Sequence, residues 1–217
     1  MVEPGHVIGA RYRVLEPLGK GGMGTTYAAE DIKTGQQVAL KALSLESLSD
    51  WKALELFERE ARVLKSIDHP GVPAYIDDVS GGEDDAFYLV QERVNGASLA
   101  QKMEAGWRPD ESEVQRIARG VLDILCYLHG RYPLIIHRDI TPSNVLLRED
   151  GRVALVDFGA VKDRPQTEDA FASTVVGTYG YMAPEQLQSN AVPASDLYGL
   201  GTTLAFVLTG HPPSKLP

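Results

Sequence analysis

The spacing of apolar residues changes along the chain, and this change constrains the fold more than any other feature. In the first part, short alternating runs of apolar and polar residues are separated by glycines and turn residues, which is typical of antiparallel hairpins. Elsewhere apolar residues recur every three or four positions, which predicts helices. We predict strands at 12–18, 25–29, 37–43, 74–79 and 87–94, and helices at 50–67, 114–128 and 195–208. The predicted fold is α+β, with a β-rich first half that contains one long helix, a mainly helical second half and a crevice between them.

The composition excludes several classes of function. The 21 basic and 30 acidic residues give a net charge of −9, which argues against nucleic-acid binding because a phosphate backbone requires a basic surface. The single cysteine, Cys126, excludes a disulfide within the chain and is typical of a reducing compartment. Its place on an apolar helical face predicts a buried side chain. The sequence contains no signal peptide and no run of 18 apolar residues, so we expect a cytoplasmic domain with no membrane tether visible in this chain.

Residues 19–24 read Gly-Lys-Gly-Gly-Met-Gly, which has the form G-x-G-x-x-G. A dinucleotide-binding fingerprint would require a helix directly afterwards, whereas the next residues are β-prone. A Walker loop would require a lysine where Thr25 stands. We therefore interpret the segment as a hairpin whose backbone, without Cβ atoms, can lie against phosphates. On this motif alone, a plain surface hairpin is an equal alternative.

Lys41 ends an otherwise apolar predicted strand. Its ammonium group either reaches solvent along a strand end or is buried, where it could bind the α- and β-phosphates of a nucleotide. A buried cation requires a carboxylate partner. Glu58 and Glu60 lie on opposite edges of the apolar stripe of the predicted helix at 50–67, so helical geometry does not choose between them.

Residues 137–144 read His-Arg-Asp-Ile-Thr-Pro-Ser-Asn and follow a short apolar run. The carboxylate of Asp139 could orient a hydroxyl and accept its proton. The amide oxygen of Asn144 could bind Mg²⁺, which prefers hard oxygen ligands. Thirteen residues later, Asp157 ends a hydrophobic strand at an Asp-Phe-Gly sequence and offers a second oxygen ligand. These residues predict a magnesium-dependent reaction of a hydroxyl group.

The motifs resemble, in order and spacing, the signature set of protein kinases. The matching positions are Gly19, Gly21, Gly24, Lys41, Glu60, His137-Arg138-Asp139, Asn144, Asp157-Phe158-Gly159 and Ala183-Pro184-Glu185. The resemblance covers residues 12–217, and the sequences of its motifs are similar to those of the bacterial serine/threonine branch. It implies a bilobal kinase fold with an N-lobe at 12–94 and a C-lobe at 95–217. The C-lobe is expected to be incomplete, because the helices that close it in the family would follow residue 217.

The resemblance also implies a role for each motif residue. Asp139 would be the catalytic base, and Lys41 would bind the α- and β-phosphates while paired with Glu60. Asn144 and Asp157 would hold Mg²⁺, or Mn²⁺ in its place. Residues 91–94 would form the hinge that binds adenine, with Gln91 as its gatekeeper, and Asp196 would anchor the catalytic loop 137–144. The implied ATP-binding residues are Leu18, Gly19, Lys20, Gly21, Gly22, Met23, Gly24, Thr26, Ala39, Lys41, Glu92, Val94 and Leu146.

The implied reaction is transfer of the γ-phosphate of Mg·ATP to a serine or threonine hydroxyl of a protein. Pro142 and Gly177-Thr178 resemble serine/threonine kinases rather than tyrosine kinases. Small-molecule phosphotransferases, which share the Asp-Asn loop, typically lack the Asp-Phe-Gly and Ala-Pro-Glu sequences. A nucleotide-binding pseudokinase or scaffold of the same fold is the main alternative.

Control by phosphorylation is implied by Arg138, which in the family receives a phosphate from the activation segment, here 157–185. The hydroxyls placed to carry that phosphate are those of Thr167, Ser173 and Thr174. A phosphate there could order the segment through charge-assisted hydrogen bonds. We expect autophosphorylation at Ser173 or Thr174, which could involve self-association of two chains.

Three features depart from the family pattern. Thr141 stands where serine/threonine kinases usually have a lysine near the γ-phosphate, which predicts slower chemistry because a hydroxyl carries no charge. Thr26 replaces the usual valine above the adenine ring. The absence of the closing helices predicts that Leu200, Leu204 and Val207 lose their cover and make the chain prone to aggregation.

Overall fold

The computed structural model describes residues 2–21, 24–43, 51–80, 86–161 and 177–215. Five of the residues assigned a role from the sequence lie outside the described part of the chain, namely Gly22, Met23, Thr167, Ser173 and Thr174. The chain divides into two compact units. The first comprises Met1–Asp68 and Pro73–Val94, and the second comprises His69–Val72 and Asn95–Pro217.

The first unit contains a six-stranded antiparallel sheet and one helix, α1, at Trp51–Ser66. The strands are β1 Val7–Ile8, β2 Tyr12–Gly21, β3 Gly24–Asp31, β4 Gln36–Leu43, β5 Tyr75–Ser80 and β6 Phe87–Glu92. Their order across the sheet is β1-β2-β3-β4-β6-β5, so the first four follow each other as hairpins. The prediction of antiparallel hairpins with one long helix is confirmed. The structure adds the short strand β1 and extends β2 from the predicted end at residue 18 to Gly21.

The two faces of the sheet carry different chemistry because successive side chains of a strand point to opposite faces. One face is a hydrophobic cluster that consists of Ile8, Tyr12, Val14, Tyr27, Ala29, Val38, Leu40, Tyr88 and Val90. On β4, Val38 and Leu40 belong to this cluster. Ala39 and Lys41 have the other parity and therefore leave β4 from the opposite face. The alternation thus separates the packing residues of β4 from the two residues that were predicted to bind a nucleotide.

A partly buried cluster of polar side chains joins β3 and β5 at the start of β2. The guanidinium group of Arg11 donates to both carboxylate oxygens of Asp31, at 3.0 and 2.7 Å, and to Asp77 at 3.2 Å. The phenol of Tyr12 donates to the same oxygen of Asp77 at 2.8 Å. Hydrogen bonds from Arg11 hold the pKa of Asp31 well below its usual range, and burial raises the pKa of Tyr12 above its ordinary value. The carboxylate of Asp31 therefore stays ionised and the phenol of Tyr12 stays neutral, and their hydrogen bonds fix the ends of these strands.

The second unit is mainly helical, as predicted. Its helices are α2 Leu99–Glu104, α3 Glu111–His129, α4 Pro184–Leu187 and α5 Pro193–Thr209. A three-stranded antiparallel sheet, ordered β7-β8-β9, is formed by β7 Gly96–Ser98, β8 Val145–Arg148 and β9 Val153–Leu155. The N-cap of α3 is Asp110, whose side chain accepts the backbone N–H of Glu113. Short 3-10 turns occur at Phe158–Ala160 and Pro213–Lys215.

The expected burial of Cys126 on α3 is wrong. Cys126 is exposed rather than buried, and Leu122 is exposed as well. The buried side chains of α3 are Val114, Ile117, Val121, Ile124, Leu125 and Leu128. These residues form one stripe at three- and four-residue spacing, and Leu122 and Cys126, four residues apart, share the face beside it.

The expected loss of cover on α5 is also wrong for two of its three residues. Leu200 is only 5% exposed and Val207 only 1% exposed, while Leu204 is half-buried. The exposed apolar side chains of α5 belong to other positions of the helix, among them Leu197 and Leu208. α3 packs against α5 within the unit. No helix in the described part of the chain is both long enough and apolar enough to cross a membrane.

Candidate active site

Lys41 and Glu60 form a buried ion pair within the first unit. The Nζ atom of Lys41 lies 2.9 Å from Oε1 and 2.7 Å from Oε2 of Glu60. The side chains are 8% and 1% exposed, respectively. Glu58, the other candidate partner, is exposed. The choice that helical geometry left open is therefore settled in favour of Glu60, and the ammonium group of Lys41 is held at a fixed place on the sheet.

The described glycines of the segment 19–24 lie on the paired strands β2 and β3. Gly21 pairs with Gly24, Lys20 with Thr25, and Gly19 with Thr26. Gly24 has a φ of +143°, and an added Cβ atom would lie 1.9 Å from the carbonyl oxygen of Ala42, so only glycine fits. An added Cβ at Gly19 would meet no atom of the described residues within 4 Å, its two chain neighbours apart. Packing within the protein thus explains Gly24 but not Gly19, and the space beside Gly19 is open to a ligand.

The remaining predicted nucleotide-binding residues lie on elements of both units. In the first unit, Leu18 is exposed on β2, Thr26 is half-buried on β3 and Ala39 is buried on β4. The hinge begins at the end of β6, where Gln91 is buried, and continues through Glu92 to Val94, which are both half-buried. Leu146 lies on β8 of the second unit and is half-buried.

Asp196 holds the catalytic loop from α5. One of its carboxylate oxygens accepts the backbone N–H of Arg138 at 2.7 Å, and the other accepts that of His137 at 2.9 Å. The second oxygen also lies 2.8 Å from Nε2 of His129, at the end of α3. A buried carboxylate that accepts several hydrogen bonds is a strong anchor because leaving it unpaired would be costly. Asp196 therefore fixes the backbone directly before Asp139.

Three donors from two side chains and one backbone amide contact the carboxylate of Asp139. Oδ1 accepts the backbone N–H of Thr178 at 2.9 Å and its hydroxyl at 2.8 Å. Oδ2 accepts the amide nitrogen of Asn144 at 2.8 Å. The carboxylate is therefore oriented before any substrate arrives, which is the arrangement that a general base requires.

The donor set of Asn144 and Asp157 fits a magnesium ion. Nδ2 of Asn144 donates to the backbone carbonyl of Asp139 as well as to its side chain, so the amide oxygen is the atom left to face a cation. The carbonyl of Asn144 accepts the N–H of Val156, which brings Asp157 next to it. The described residues include no cluster of three or more His, Cys, Asp or Glu side chains that could hold a metal. One or two protein oxygens together with phosphates are the usual ligands of Mg²⁺.

His137 is completely buried beside these carboxylates. Burial lowers the pKa of its imidazole, and this effect outweighs the opposite influence of Asp196, Asp139 and Asp157. The ring packs edge-on against Phe158, with the ring centres 4.8 Å apart. A neutral imidazole in this place joins the catalytic loop to the Asp-Phe-Gly turn by packing rather than by charge.

Two residues of the site have left-handed backbone conformations. Arg138 has a φ of +70° and Asp157 has a φ of +65°. A residue with a side chain pays on the order of 1–3 kcal/mol for such a conformation and keeps it only where its surroundings fix it. Ala10 and Ser189 also have positive φ, at 53° and 60°, so two of the four such non-glycine residues in the described part of the chain belong to the site.

Thr141 lies in the turn of the catalytic loop. Its side chain is buried, and within the described residues the carboxylate of Asp139 bonds Thr178 and Asn144 instead. The backbone carbonyl of Thr141 accepts the N–H groups of Asn144 and Val145, which closes the turn of the catalytic loop. No hydrogen bond joins the hydroxyl of Thr141 to the carboxylate of Asp139 among the described residues.

Several polar residues that bond the catalytic loop or its anchor were not predicted from the sequence; Thr203 and Gln186 are buried, and His129 is half-buried. The hydroxyl of Thr203 on α5 donates to the carbonyl of Ile140 at 3.0 Å. His129 bonds Asp196, as described above, and Gln186 on α4 bonds the catalytic loop. The only signal in the sequence is a polar residue at a helical position that the apolar spacing assigns to the core.

The carboxylate of Glu185 accepts a hydrogen bond from the hydroxyl of Ser195 at 2.6 Å, which lowers the pKa of Glu185.

Comparisons with known proteins agree with this geometry. The model of the family described as "Protein kinase domain" matches residues 12–216. The chain is 39% identical over 231 residues to serine/threonine-protein kinase C of Synechocystis sp., an alignment that covers 100% of this chain and 42% of the relative. It is 37% identical to serine/threonine-protein kinase B of the same organism, covering 96% of this chain and 38% of the relative.

Serine/threonine-protein kinase PrkC of Bacillus subtilis is 34% identical over 210 residues, covering 96% of this chain and 32% of the relative. The chain thus spans between 32% and 42% of the length of these three relatives. The resemblance to bacterial serine/threonine kinases and the predicted fold class are confirmed. The matched residues include the whole glycine hairpin, the ion pair and the catalytic loop, and the chain belongs to the protein kinase family.

Proposed function

We propose that the chain is the catalytic domain of a serine/threonine protein kinase that uses Mg·ATP. The observation that carries the proposal is the carboxylate of Asp139, held by Thr178 and Asn144 on a loop anchored by Asp196. The Lys41–Glu60 ion pair supplies the phosphate-binding cation. The names of the relatives support protein hydroxyls as acceptors, because all three are serine/threonine-protein kinases.

In the proposed reaction, the oxygen of a substrate hydroxyl attacks the γ-phosphorus of ATP, and the bond from that phosphorus to the β–γ bridging oxygen breaks. Asp139 orients the hydroxyl and accepts its proton, and ADP leaves with the electron pair of the broken bond. Lys41 binds the α- and β-phosphates, and Gly19 lets the hairpin backbone approach them. Magnesium bound by Asn144 and Asp157 would neutralise phosphate charge. Thr141 contributes no charge, so transition-state stabilisation at this point is weaker than with lysine.

Autophosphorylation is part of the proposal. Arg138 is the proposed receiver of a phosphate on Ser173 or Thr174, and a second copy of the chain is a proposed substrate. Peptide mapping after incubation with Mg·ATP tests this step. Phosphate found only on Thr167, or on none of the three hydroxyls, would argue against it.

The proposed activity is tested by measuring the intact mass of the chain after incubation with Mg·ATP, with and without casein as a protein acceptor. Asp139→Asn is the matched control, because the substitution keeps the size of the side chain and removes the proton acceptor. Phosphate gained by the wild-type chain or by casein, and not in the control, supports the proposal. No phosphate gained in any sample would favour the alternative of a nucleotide-binding pseudokinase. Phosphate transferred only to a small molecule would favour a small-molecule phosphotransferase.

A further inference from the structure

We propose that Gln186, which is not among the signature residues, positions the catalytic loop through the carbonyl group of Arg138. Gln186 lies on α4 and is only 1% exposed. Its Nε2 atom donates to the carbonyl oxygen of Arg138 at 2.8 Å. Its Oε1 atom accepts the backbone N–H of Ala183 at 3.1 Å. The inference rests on the proposed kinase activity and adds a positioning residue to it.

The hydrogen bond to Ala183 accounts for the side-chain oxygen of Gln186 but not for its amide nitrogen. It is the half of a capping box in which the third residue of a helix reaches back to the N-cap, and glutamate serves there as well as glutamine. The same half occurs on α2, where Oε1 of Gln101 accepts the N–H of Ser98 at 2.9 Å. The cap would therefore be satisfied by glutamate at position 186. An amide nitrogen is required only by the carbonyl of Arg138.

The carbonyl that Gln186 binds belongs to a strained residue. Arg138 has a left-handed φ of +70°, and such a conformation persists only where the surroundings fix it. Asp196 accepts its N–H group, and Gln186 donates to its carbonyl. The second bond sets the orientation of the peptide group that joins Arg138 to Asp139. Rotation of that peptide would turn the carboxylate of Asp139 away from Thr178 and Asn144.

Gly177 lies directly against the hydrogen bond between Gln186 and Arg138. Its φ is +140°, and an added Cβ atom would lie 3.1 Å from the carbonyl oxygen of Arg138 and 3.4 Å from Nε2 of Gln186. The next residue, Thr178, donates to Asp139. Residues 177–186 therefore hold two successive residues of the catalytic loop, one by its carbonyl and one by its carboxylate. Gln186 makes the position of the base depend on the order of this segment.

The test is a kinetic comparison of Gln186→Glu and Gln186→Met with the wild-type chain, using ATP and casein. Gln186→Glu keeps the length and the capping oxygen but places an acceptor against the Arg138 carbonyl. Gln186→Met removes the donor without adding charge, which covers the case that the buried carboxylate impairs folding. Small displacements of a catalytic group can cost about 100-fold in rate. We expect kcat to fall about 10- to 100-fold in both variants, with KM for ATP within about twofold of the wild-type value.

Gln101→Glu is the matched control, because it makes the same exchange at the same position of a capping box, and we expect its kcat to stay within about twofold. Either Gln186 variant with wild-type kcat, or an equal loss in Gln101→Glu, would overturn the inference. A loss carried by KM for ATP alone would also overturn it, because a displaced base affects the chemical step. If the wild-type chain transfers no phosphate in the same assay, the proposed function fails, and this inference fails with it.

Discussion

The buried pair of Lys41 and Glu60 allows a quantitative prediction about stability. Removing one partner of a buried ion pair leaves an uncompensated charge and costs about 3–5 kcal/mol, whereas replacing both partners by apolar residues of similar size is often neutral or stabilising. The side chains of Lys41 and Glu60 are 8% and 1% exposed, so the pair belongs to this class. We expect Glu60→Gln and Lys41→Met each to lower the free energy of unfolding by about 3 kcal/mol or more.

The double variant Lys41→Met with Glu60→Leu is expected to regain most of this loss, which makes the pair strongly non-additive. For a chain of this size, 3 kcal/mol corresponds to a fall in melting temperature of about 6–12 °C. Urea unfolding followed by circular dichroism measures the free energies. Glu58→Gln is the control on the same helix, because Glu58 is exposed and its removal is expected to change stability by less than about 0.5 kcal/mol. Additive losses in the double variant, or equal effects of Glu58→Gln and Glu60→Gln, would refute the reasoning.

Two further predictions concern acid stability and the glycine hairpin. Burial lowers the pKa of His137, so the folded chain keeps the ring neutral while the unfolded chain protonates near pH 6.5. The free energy of unfolding therefore falls as the pH drops below about 6.5, because protonation of the ring favours the unfolded chain. Between pH 7.5 and pH 5.5, the urea midpoint should fall more for the wild-type chain than for His137→Phe. Equal falls in the two chains would contradict this. Gly24→Ala should destabilise the fold by about 1–3 kcal/mol, since its Cβ atom would meet Ala42 in a strained conformation. Gly19→Ala should leave the melting temperature unchanged but raise KM for ATP; the opposite pattern would show that Gly19 serves packing.

The sequence predicts this fold well where local patterns decide it. Alternation along β4 is enough to put Ala39 and Lys41 on one face, and the spacing of α3 is enough to predict a long buried helix. The exact face is harder, as the exposed Cys126 and Leu122 show. An apolar residue at the edge of a stripe can be covered or exposed, and the neighbouring elements decide which.

The site is predictable only in part for a similar reason. The Asp139–Asn144 spacing is local and visible in the sequence, but the partner of Oδ1, Thr178, lies 39 residues further along the chain. Glu58 and Glu60 are equivalent by period alone, and only the packing of α1 on the sheet buries one of them. Gln186 and Thr203 were assigned no role from the sequence. Their roles follow from carbonyl groups of the catalytic loop that need donors inside the unit.

The hydrogen bonds to Asp139 limit how many further donors its carboxylate can accept. An ionised carboxylate offers about four lone-pair directions, and in the described structure Thr178 and Asn144 fill three of them. One direction remains, which admits a single hydroxyl. In the proposed reaction, water and a protein substrate would therefore compete for the same lone pair, and ATP hydrolysis and phosphorylation would exclude each other at this oxygen atom. A tightly bound acceptor should suppress the ATPase activity in proportion to its occupancy.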